Sequence, residues 1–136
     1  MGEIGWIMYY KIDENIVGGI DGINCTVNNI LNQTKLIIGD EDLLFDLRLI
    51  LNEVLINAFE HGNNKDMHKL LSLCLVIDDI ELKLRVKDEG LGFCLGDNCA
   101  DISELASHGR GLMIVENLSD CLQVEDNVVR CILYRH

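Results

Sequence analysis

The sequence of 136 residues contains no proline, and aromatic residues make up only 5% of it. Without proline, neither a proline-rich linker nor long rigid loops are expected. Because aromatic side chains are scarce, the core must consist mainly of leucine, isoleucine and valine. Hydrophobic residues account for 49% of the chain. Residues 1–136 are therefore expected to form one domain whose core needs no disulfide or metal.

Positive charge is scarce as well, since 11 lysines and arginines stand against 23 aspartates and glutamates, for a formal net charge of −12. Direct nucleic-acid binding needs a basic face. The composition therefore predicts no direct nucleic-acid partner. An acidic surface is better suited to a protein partner that carries basic patches.

A long apolar run is missing, and the first ten residues do not have the basic start and apolar stretch of a signal peptide. We therefore expect a cytoplasmic protein with no membrane segment.

The six cysteines form no CxxC pair and no cysteine–histidine zinc spacing. They are expected to be reduced thiols that mostly fill the core. Cys94 and Cys99 lie close together in a loop-like stretch, where a redox role is the less favoured alternative.

Apolar residues recur at helical spacing in two parts of the chain. Residues 13–33 predict a first helix, although three glycines weaken it, and residues 35–38 form a separate short apolar stretch. Asp40 is typical of a helix N-cap. A long second helix is predicted from there to His61, with Gly62 as its stop.

The second half of the chain alternates apolar and polar residues as strands do. Two hairpins are predicted, with turns at Asp78-Asp79 and Asp126-Asn127, and a short helix precedes the second hairpin. The predicted ranges are 70–77 and 80–87 for the first hairpin, 111–118 for the helix, and 122–125 and 128–134 for the second hairpin. The pattern indicates an α+β fold with a single-layer, mostly antiparallel sheet covered on one face by helices.

The long helix carries a narrow polar stripe opposite its main apolar face, formed by Asp46, Glu53, Asn57 and Glu60. A stripe of this kind is often only a solvated face. The flanks of this helix are apolar too, which favours burial on more than one side and a stripe that lines a cavity. Glu53 and Asn57 are four residues apart and point the same way. Their oxygens suit a hard cation and a general base.

Asp88 continues the inward parity of Leu82, Leu84 and Val86 on a predicted strand. A buried carboxylate needs a hydrogen-bond donor, and an adenine amino group would serve. Alternatively the strand has ended and Asp88 is a turn residue, and parity does not decide between the two.

Glycines follow Asp88 and also open the short helix. Gly90 and Gly92 would let the backbone approach a planar ligand, although a plain loop has the same spacing. Gly109, Arg110 and Gly111 would present backbone N–H groups and a positive charge to a phosphate, although a flexible helix start is the plainer interpretation. No Walker phosphate-binding loop occurs in the sequence.

Taken in order, these segments resemble the three motifs of the GHKL superfamily of histidine-kinase-like ATPases, from about the long helix to the C-terminus. Its branch of small anti-sigma factors that are also serine protein kinases is the most similar. The matching motifs are an N-box with Glu53, Asn57, Ala58, His61 and Gly62, a first glycine box with Asp88, Gly90, Gly92 and Phe93, and a second glycine box with His108, Gly109, Arg110, Gly111 and Leu112.

The resemblance implies an ATP- and Mg²⁺-binding protein with these motif residues around the nucleotide. Glu53 would be the general base, Asn57 would ligate Mg²⁺, and Asp88 would accept from the adenine amino group. His61 would be a structural residue of the pocket. The glycines of the first box would shape the adenine pocket, the second box would hold phosphate, and residues 94–108 would form a lid.

The resemblance also implies partners and an activity. The protein would phosphorylate a serine on an anti-anti-sigma protein of the STAS type, sequester a sigma factor, and form a homodimer. One alternative is a nucleotide-binding interaction module with little kinase activity. Another is a detached histidine-kinase ATP-binding domain, which Glu60 disfavours because histidine kinases usually carry a basic residue there. The lack of a histidine in the N-terminal stretch, where a phosphoacceptor would lie, also disfavours it.

Overall fold

The computed structural model describes residues 9–90, 94–95, 98–99 and 111–135. The described helices are α1 (Gly19–Ile38), α2 (Glu41–Asn57), which continues into a π-helical turn (Ala58–Gly62), and α3 (Gly111–Leu118). The described strands are β1 (Tyr10–Ile16), β2 (Leu71–Ile77), β3 (Glu81–Lys87), β4 (Cys94–Leu95), β5 (Asn98–Cys99), β6 (Cys121–Glu125) and β7 (Val128–Tyr134).

Five of these strands form one sheet in the order β1-β2-β3-β7-β6, and every neighbouring pair is antiparallel. The register places Leu75 opposite Ile12 on one side and opposite Leu84 on the other. β4 and β5 pair with each other in a separate two-stranded sheet. The predicted α+β class with a mostly antiparallel sheet is confirmed, and so are both predicted hairpins.

The start of the fold differs from the sequence-based expectation. Residues 13–16 belong to β1 and not to a helix, because this strand pairs with β2 along its whole length. Of its residues, only Ile12 and Ile16 are buried. Gly18 and Gly19 have φ values of +96° and +67°, a conformation that glycine adopts without cost. Two of the three glycines that seemed to weaken the helix therefore shape the turn into it, while the third, Gly22, lies within α1. α1 then runs on through residues 35–38, which are not a separate segment.

α2 begins as its sequence indicates. The Asp40 carboxylate accepts hydrogen bonds from the backbone N–H groups of Asp42 (2.9 Å) and Leu43 (3.2 Å), which is the expected N-cap. Regular α-helical hydrogen bonding stops at Asn57, and the helical path to Gly62 is completed by the π-helical turn.

The core lies between one face of the sheet and the helices. Leu75 and Leu84 of the sheet are buried together with Ile23 of α1, Leu51 of α2 and Val115 of α3. α2 packs between α1 and α3, so it is buried on more than one side, as its apolar flanks predict. Within the described residues no helix is both long and apolar enough to cross a bilayer.

Candidate functional site

Asp88 lies directly after β3, and its side chain is 4% exposed. The side chain is therefore buried, as the inward parity predicts, although the strand has ended at Lys87, as the alternative held. The carboxylate accepts a hydrogen bond from the Gly90 N–H (2.7 Å). Burial raises the pKa of Asp88 above its ordinary range, while this hydrogen bond and the charge of Lys69 act in the opposite direction. The fold thus holds a carboxylate in a place where its charge is costly.

The backbone of Asp88 is fixed by the turn between β6 and β7. The Asp88 N–H donates to the Asn127 carbonyl oxygen (3.0 Å), and the Asn127 side-chain amide donates to the Asp88 carbonyl oxygen. The turn of the second hairpin thereby fixes the backbone position of Asp88 directly after β3.

Gly62 and Gly90 meet beside this carboxylate. A Cβ on Gly62 would lie 2.1 Å from Asp88 Oδ2, and a Cβ on Gly90 would lie 1.9 Å from the Gly62 carbonyl oxygen. Neither position has room for a side chain as the fold stands. The end of the N-box and the start of the first glycine box, far apart in sequence, are therefore in direct contact.

Asn63 links the same two segments and was not predicted from the sequence. It is fully buried, its Oδ1 accepts from the Glu89 N–H (2.7 Å), and its amide donates to the Leu70 carbonyl oxygen (3.1 Å). The Glu89 carboxylate in turn accepts from the Leu70 N–H. This network holds the segment after α2, the start of β2 and the end of β3 in one arrangement.

Glu53 and Asn57 lie one turn apart on α2. Glu53 is partly buried, and Asn57 is 7% exposed. The Asn57 amide nitrogen has no hydrogen-bond partner within the described residues, which is unusual for a buried polar group. The two ends of an amide are interchangeable by rotation, so this side chain is free to offer a ligand either its oxygen or its nitrogen.

The first residue of α3 lies against Glu53. A Cβ on Gly111 would be 3.3 Å from Glu53 Oε1 and 3.5 Å from Glu53 Cβ. The N-terminus of α3 thus comes next to the N-box carboxylate, where the first N–H groups of a helix are not used by the helix itself. The side chain of Leu112, the next residue, is buried in the core.

α2 and the π-helical turn that continues it are therefore common to all three motifs: Gly62 of the turn contacts Asp88 and Gly90, and Glu53 of α2 contacts Gly111. A buried amide that no described residue pairs with, a buried carboxylate and two glycine contacts fit a nucleotide with its magnesium ion. His61 is exposed on the π-helical turn, and its role stays a prediction. Gly92, Phe93, His108, Gly109, Arg110 and most of the predicted lid lie outside the described residues.

The chain is similar to the anti-sigma F factors of Geobacillus thermodenitrificans (33% identical over 92 residues) and Geobacillus stearothermophilus (32% over 98 residues). Each alignment covers 64% of this chain and 63% of the relative, so the chain spans less than two thirds of the length of these relatives. The family model of the histidine kinase-like ATPase domain matches residues 26–133. This match contains α2, the turn after it, β3 and α3 with all three motifs, and the chain belongs to the family of histidine kinase-like ATPase domains.

Proposed function

We propose that the protein is an ATP-dependent anti-sigma regulator that phosphorylates a serine on an antagonist protein and sequesters a sigma factor. The observation that carries the proposal is that Glu53 and Asn57 lie on α2, with Gly111 against Glu53, and that Asp88 lies against Gly62 of the π-helical turn that continues this helix. The family implies ATP as the ligand, and the names of the relatives support the anti-sigma role.

Asp88 is proposed to recognise the adenine. Its carboxylate is an acceptor in a site where few donors compete for it, and an exocyclic amino group would supply the missing donor. Guanine presents a carbonyl oxygen at the equivalent ring position and would be repelled. The absence of side chains at Gly62 and Gly90 leaves the carboxylate open to a flat ring.

The phosphate end of the nucleotide is assigned to Asn57 and the start of α3. ATP supplies the phosphoryl group to be transferred, and Mg²⁺ neutralises its charge. Asn57 would hold the ion through its amide oxygen, which suits a hard cation that takes few protein ligands. The Gly111 N–H lies at a helix N-terminus, where phosphate is favoured, and Arg110, adjacent in sequence, would add a fixed positive charge.

Glu53 is proposed to take the proton from the serine hydroxyl of the antagonist. It is only partly buried, so a hydroxyl from another protein has a route to it. Its place one turn before Asn57 and beside Gly111 would direct that hydroxyl at the phosphate end of the site.

The partners are proposed from the relatives and from charge. A sigma factor and an anti-anti-sigma protein of the STAS type fit the anti-sigma role, and the net charge of −12 favours a partner surface with basic patches. The N-terminal stretch is proposed to form a homodimer surface. The alternative is a nucleotide-loaded binding module with little kinase activity, and phosphotransfer separates the two.

The test begins with affinity capture of partners in the presence of ATP and Mg²⁺, with EDTA as the reference. Transfer of radiolabelled phosphate from ATP to each captured protein is then followed. In the proposed mechanism wild-type protein labels a serine, and Glu53→Ala lowers the rate by a factor on the order of 10²–10⁴ while nucleotide affinity stays the same. Asn57→Ala should lower both the rate and the affinity for Mg²⁺-ATP.

Glu60→Ala is the matched control, because Glu60 is also a partly buried glutamate, on the turn that follows α2, but has no assigned role. Partner capture with ATP but without phosphotransfer would favour the binding module. If Glu53→Ala transferred phosphate at the wild-type rate, Glu53 would only line the pocket and would not be the general base. Failure to bind ATP would refute the proposal as a whole.

A further inference from the structure

β4 and β5 bring two cysteines to directly opposite positions. In this antiparallel pair Cys94 is the Cα partner of Cys99, and Leu95 is the partner of Asn98. Two residues, Gly96 and Asp97, separate the strands in the sequence. Glycine followed by aspartate is a pair typical of two-residue hairpin connections, so sequence and register agree on the same pairing.

Directly opposite residues of an antiparallel pair have the spacing that a disulfide requires. Their Cα atoms are about 4.5 Å apart in a non-hydrogen-bonded pair and about 5.5 Å apart in a hydrogen-bonded pair. A disulfide joins Cα atoms that are about 4.4–6.8 Å apart. Both kinds of pair lie within this range. The backbone therefore does not need to rearrange for these two residues to be bridged.

The other cysteines do not offer such a pair. Cys121 and Cys131 are on neighbouring strands, but their Cα partners are Ile132 and Leu122, so the two are one residue out of register and project from opposite faces. Burial also raises the pKa of Cys131 to about 12, which keeps it a thiol. Cys25 is exposed on α1, and Cys74 is a partly buried residue of β2.

We propose that Cys94 and Cys99 form a reversible disulfide and are a redox modification site of this protein. The oxidant is a low-molecular-weight disulfide such as oxidised glutathione. One cysteine thiolate attacks it, forms a mixed disulfide and releases one glutathione thiolate. The second cysteine thiolate then displaces the other glutathione and closes the bond between Cys94 and Cys99. The two cysteines lose two electrons and two protons, and the small disulfide is reduced to two thiols.

The site can be tested by mass mapping, without nucleotide. The full-length protein is equilibrated in glutathione buffers from reducing to oxidising, its free thiols are alkylated, and it is digested with trypsin. Lys87 and Arg110 bound one tryptic peptide that contains both cysteines. Upon oxidation this peptide should carry no alkyl group and be two hydrogens lighter than its dithiol form, to the same extent after dilution of the protein, because the bond is intramolecular.

A register variant, in which one cysteine is moved by one residue, tests whether strand pairing or only closeness in the sequence selects the two cysteines. Asn98→Cys/Cys99→Ser keeps two thiols in the same peptide but moves one of them out of register with Cys94, to the position opposite Leu95. Its disulfide-to-dithiol ratio in the same buffer should be lower by roughly tenfold, because the favourable geometry is lost. Cys25→Ser is the control and should leave the bond unchanged.

Three results would overturn the proposal. The first is full alkylation of both cysteines in an oxidising buffer in which the exposed Cys25 becomes glutathionylated. The second is a bond from either cysteine to a different one. The third is equally ready oxidation of the register variant, which would show that strand pairing does not select the two residues.

Discussion

Asp88 is a carboxylate that the fold buries at a cost. It is 4% exposed, and the described residues give it the Gly90 N–H as a hydrogen-bond donor. Burial is the largest effect on its pKa and raises it. A group whose charged form is disfavoured in the folded state lowers stability wherever it is ionised. Asp88 is therefore expected to matter for ligand binding and not for folding.

The pH dependence of stability follows from this shift. An unfolded aspartate titrates near a pKa of about 3.9, and the folded pKa is higher. Between the two values the folded state holds more protons, so stability falls as the pH rises through this window and stays lower above it. The neutral variant Asp88→Asn should therefore be more stable than wild type near neutral pH, and this advantage should shrink as the pH falls from the folded pKa towards about 3.9 and be absent below that value.

Urea unfolding of the nucleotide-free protein at several pH values measures this difference. Asp21→Asn, at an exposed aspartate of α1, is the matched control and should gain no stability. An Asp88→Asn variant that is less stable than wild type at neutral pH would mean that the ionised carboxylate is stabilised by its surroundings.

The same substitution should have the opposite effect on ATP binding. A hydrogen bond to a charged group contributes about 1.5–3 kcal/mol, so Asp88→Asn is expected to weaken ATP binding by roughly 10- to 100-fold. Discrimination between ATP and GTP should decrease with it. Calorimetric titration of both nucleotides into both proteins is the measurement. Equal affinities of wild type for ATP and GTP, unchanged in the variant, would remove adenine recognition from Asp88.

At the scale of elements, the contact between the π-helical turn after α2 and the segment after β3 leaves no space for added atoms. A methyl group at Gly90 would collide with the backbone carbonyl of Gly62, whereas one at Gly62 would collide with the side chain of Asp88. A carboxylate can turn away, but the backbone of a packed turn cannot move without disturbing its neighbours. The two glycines should therefore respond differently to substitution.

Gly90→Ala is expected to destabilise the fold by about 1–3 kcal/mol, as overpacking does. Gly62→Ala should cost less stability but lower ATP affinity, because it displaces the Asp88 carboxylate. Denaturant unfolding and nucleotide titration of both variants separate these effects. In an Asp88→Ala background, Gly62→Ala should cost less than in wild type, which a double-mutant cycle measures. Additive costs would show that Asp88 is not the group that Gly62 accommodates.

The elements that could be predicted from sequence are those specified by local chemistry. The Asp40 cap, the two hairpins and α3 depend on neighbouring residues, and all were confirmed. β1 could not be predicted, because Ile16 lies four residues before Ile20 and so continues a helical spacing that the turn at Gly18 interrupts. Only pairing with β2, more than 50 residues later, identifies it as a strand.

In the candidate site, too, the features set by local sequence could be predicted and those set by distant contacts could not. The inward direction of Asp88 follows from strand parity, and the shared direction of Glu53 and Asn57 follows from helix geometry. Asn63 and Asn127 were not predicted as part of the site, because their partners are 26 and 39 residues away along the chain. Asn127 was expected only to be a turn residue. Such long-range contacts leave no periodic pattern in a single sequence.

At the scale of the whole molecule, one helix connects the proposed site to the core. α2 contributes Leu47, Leu51 and Leu55 to the buried cluster, with no exposed surface at any of them. The same helix carries Glu53 and Asn57. A ligand that bridges α2, the end of β3 and the start of α3 would join three segments that separate when the domain unfolds. Nucleotide binding should therefore stabilise the whole domain and not a local loop.

Binding to the folded state alone stabilises by an amount set by the ligand concentration relative to Kd, about 2.7 kcal/mol at roughly 100 times Kd. For a domain of this size that corresponds to a rise in Tm of roughly 10 °C. ATP with Mg²⁺ should produce this shift in wild type, and the shift should be smaller for Asn57→Ala and Asp88→Asn at the same nucleotide concentration. Thermal unfolding by circular dichroism, with and without EDTA, is the measurement.

The control variant is Arg85→Ala, on the exposed face of the sheet away from the helices, which should keep the full shift. If EDTA left the rise in Tm of the wild-type protein intact, nucleotide binding would not require magnesium. Asn57 would then have no ion to hold. A full shift in Asn57→Ala would show that its buried amide does not contact the ligand. The lack of a partner for the Asn57 amide among the described residues would then be a cost of folding that nucleotide binding does not offset.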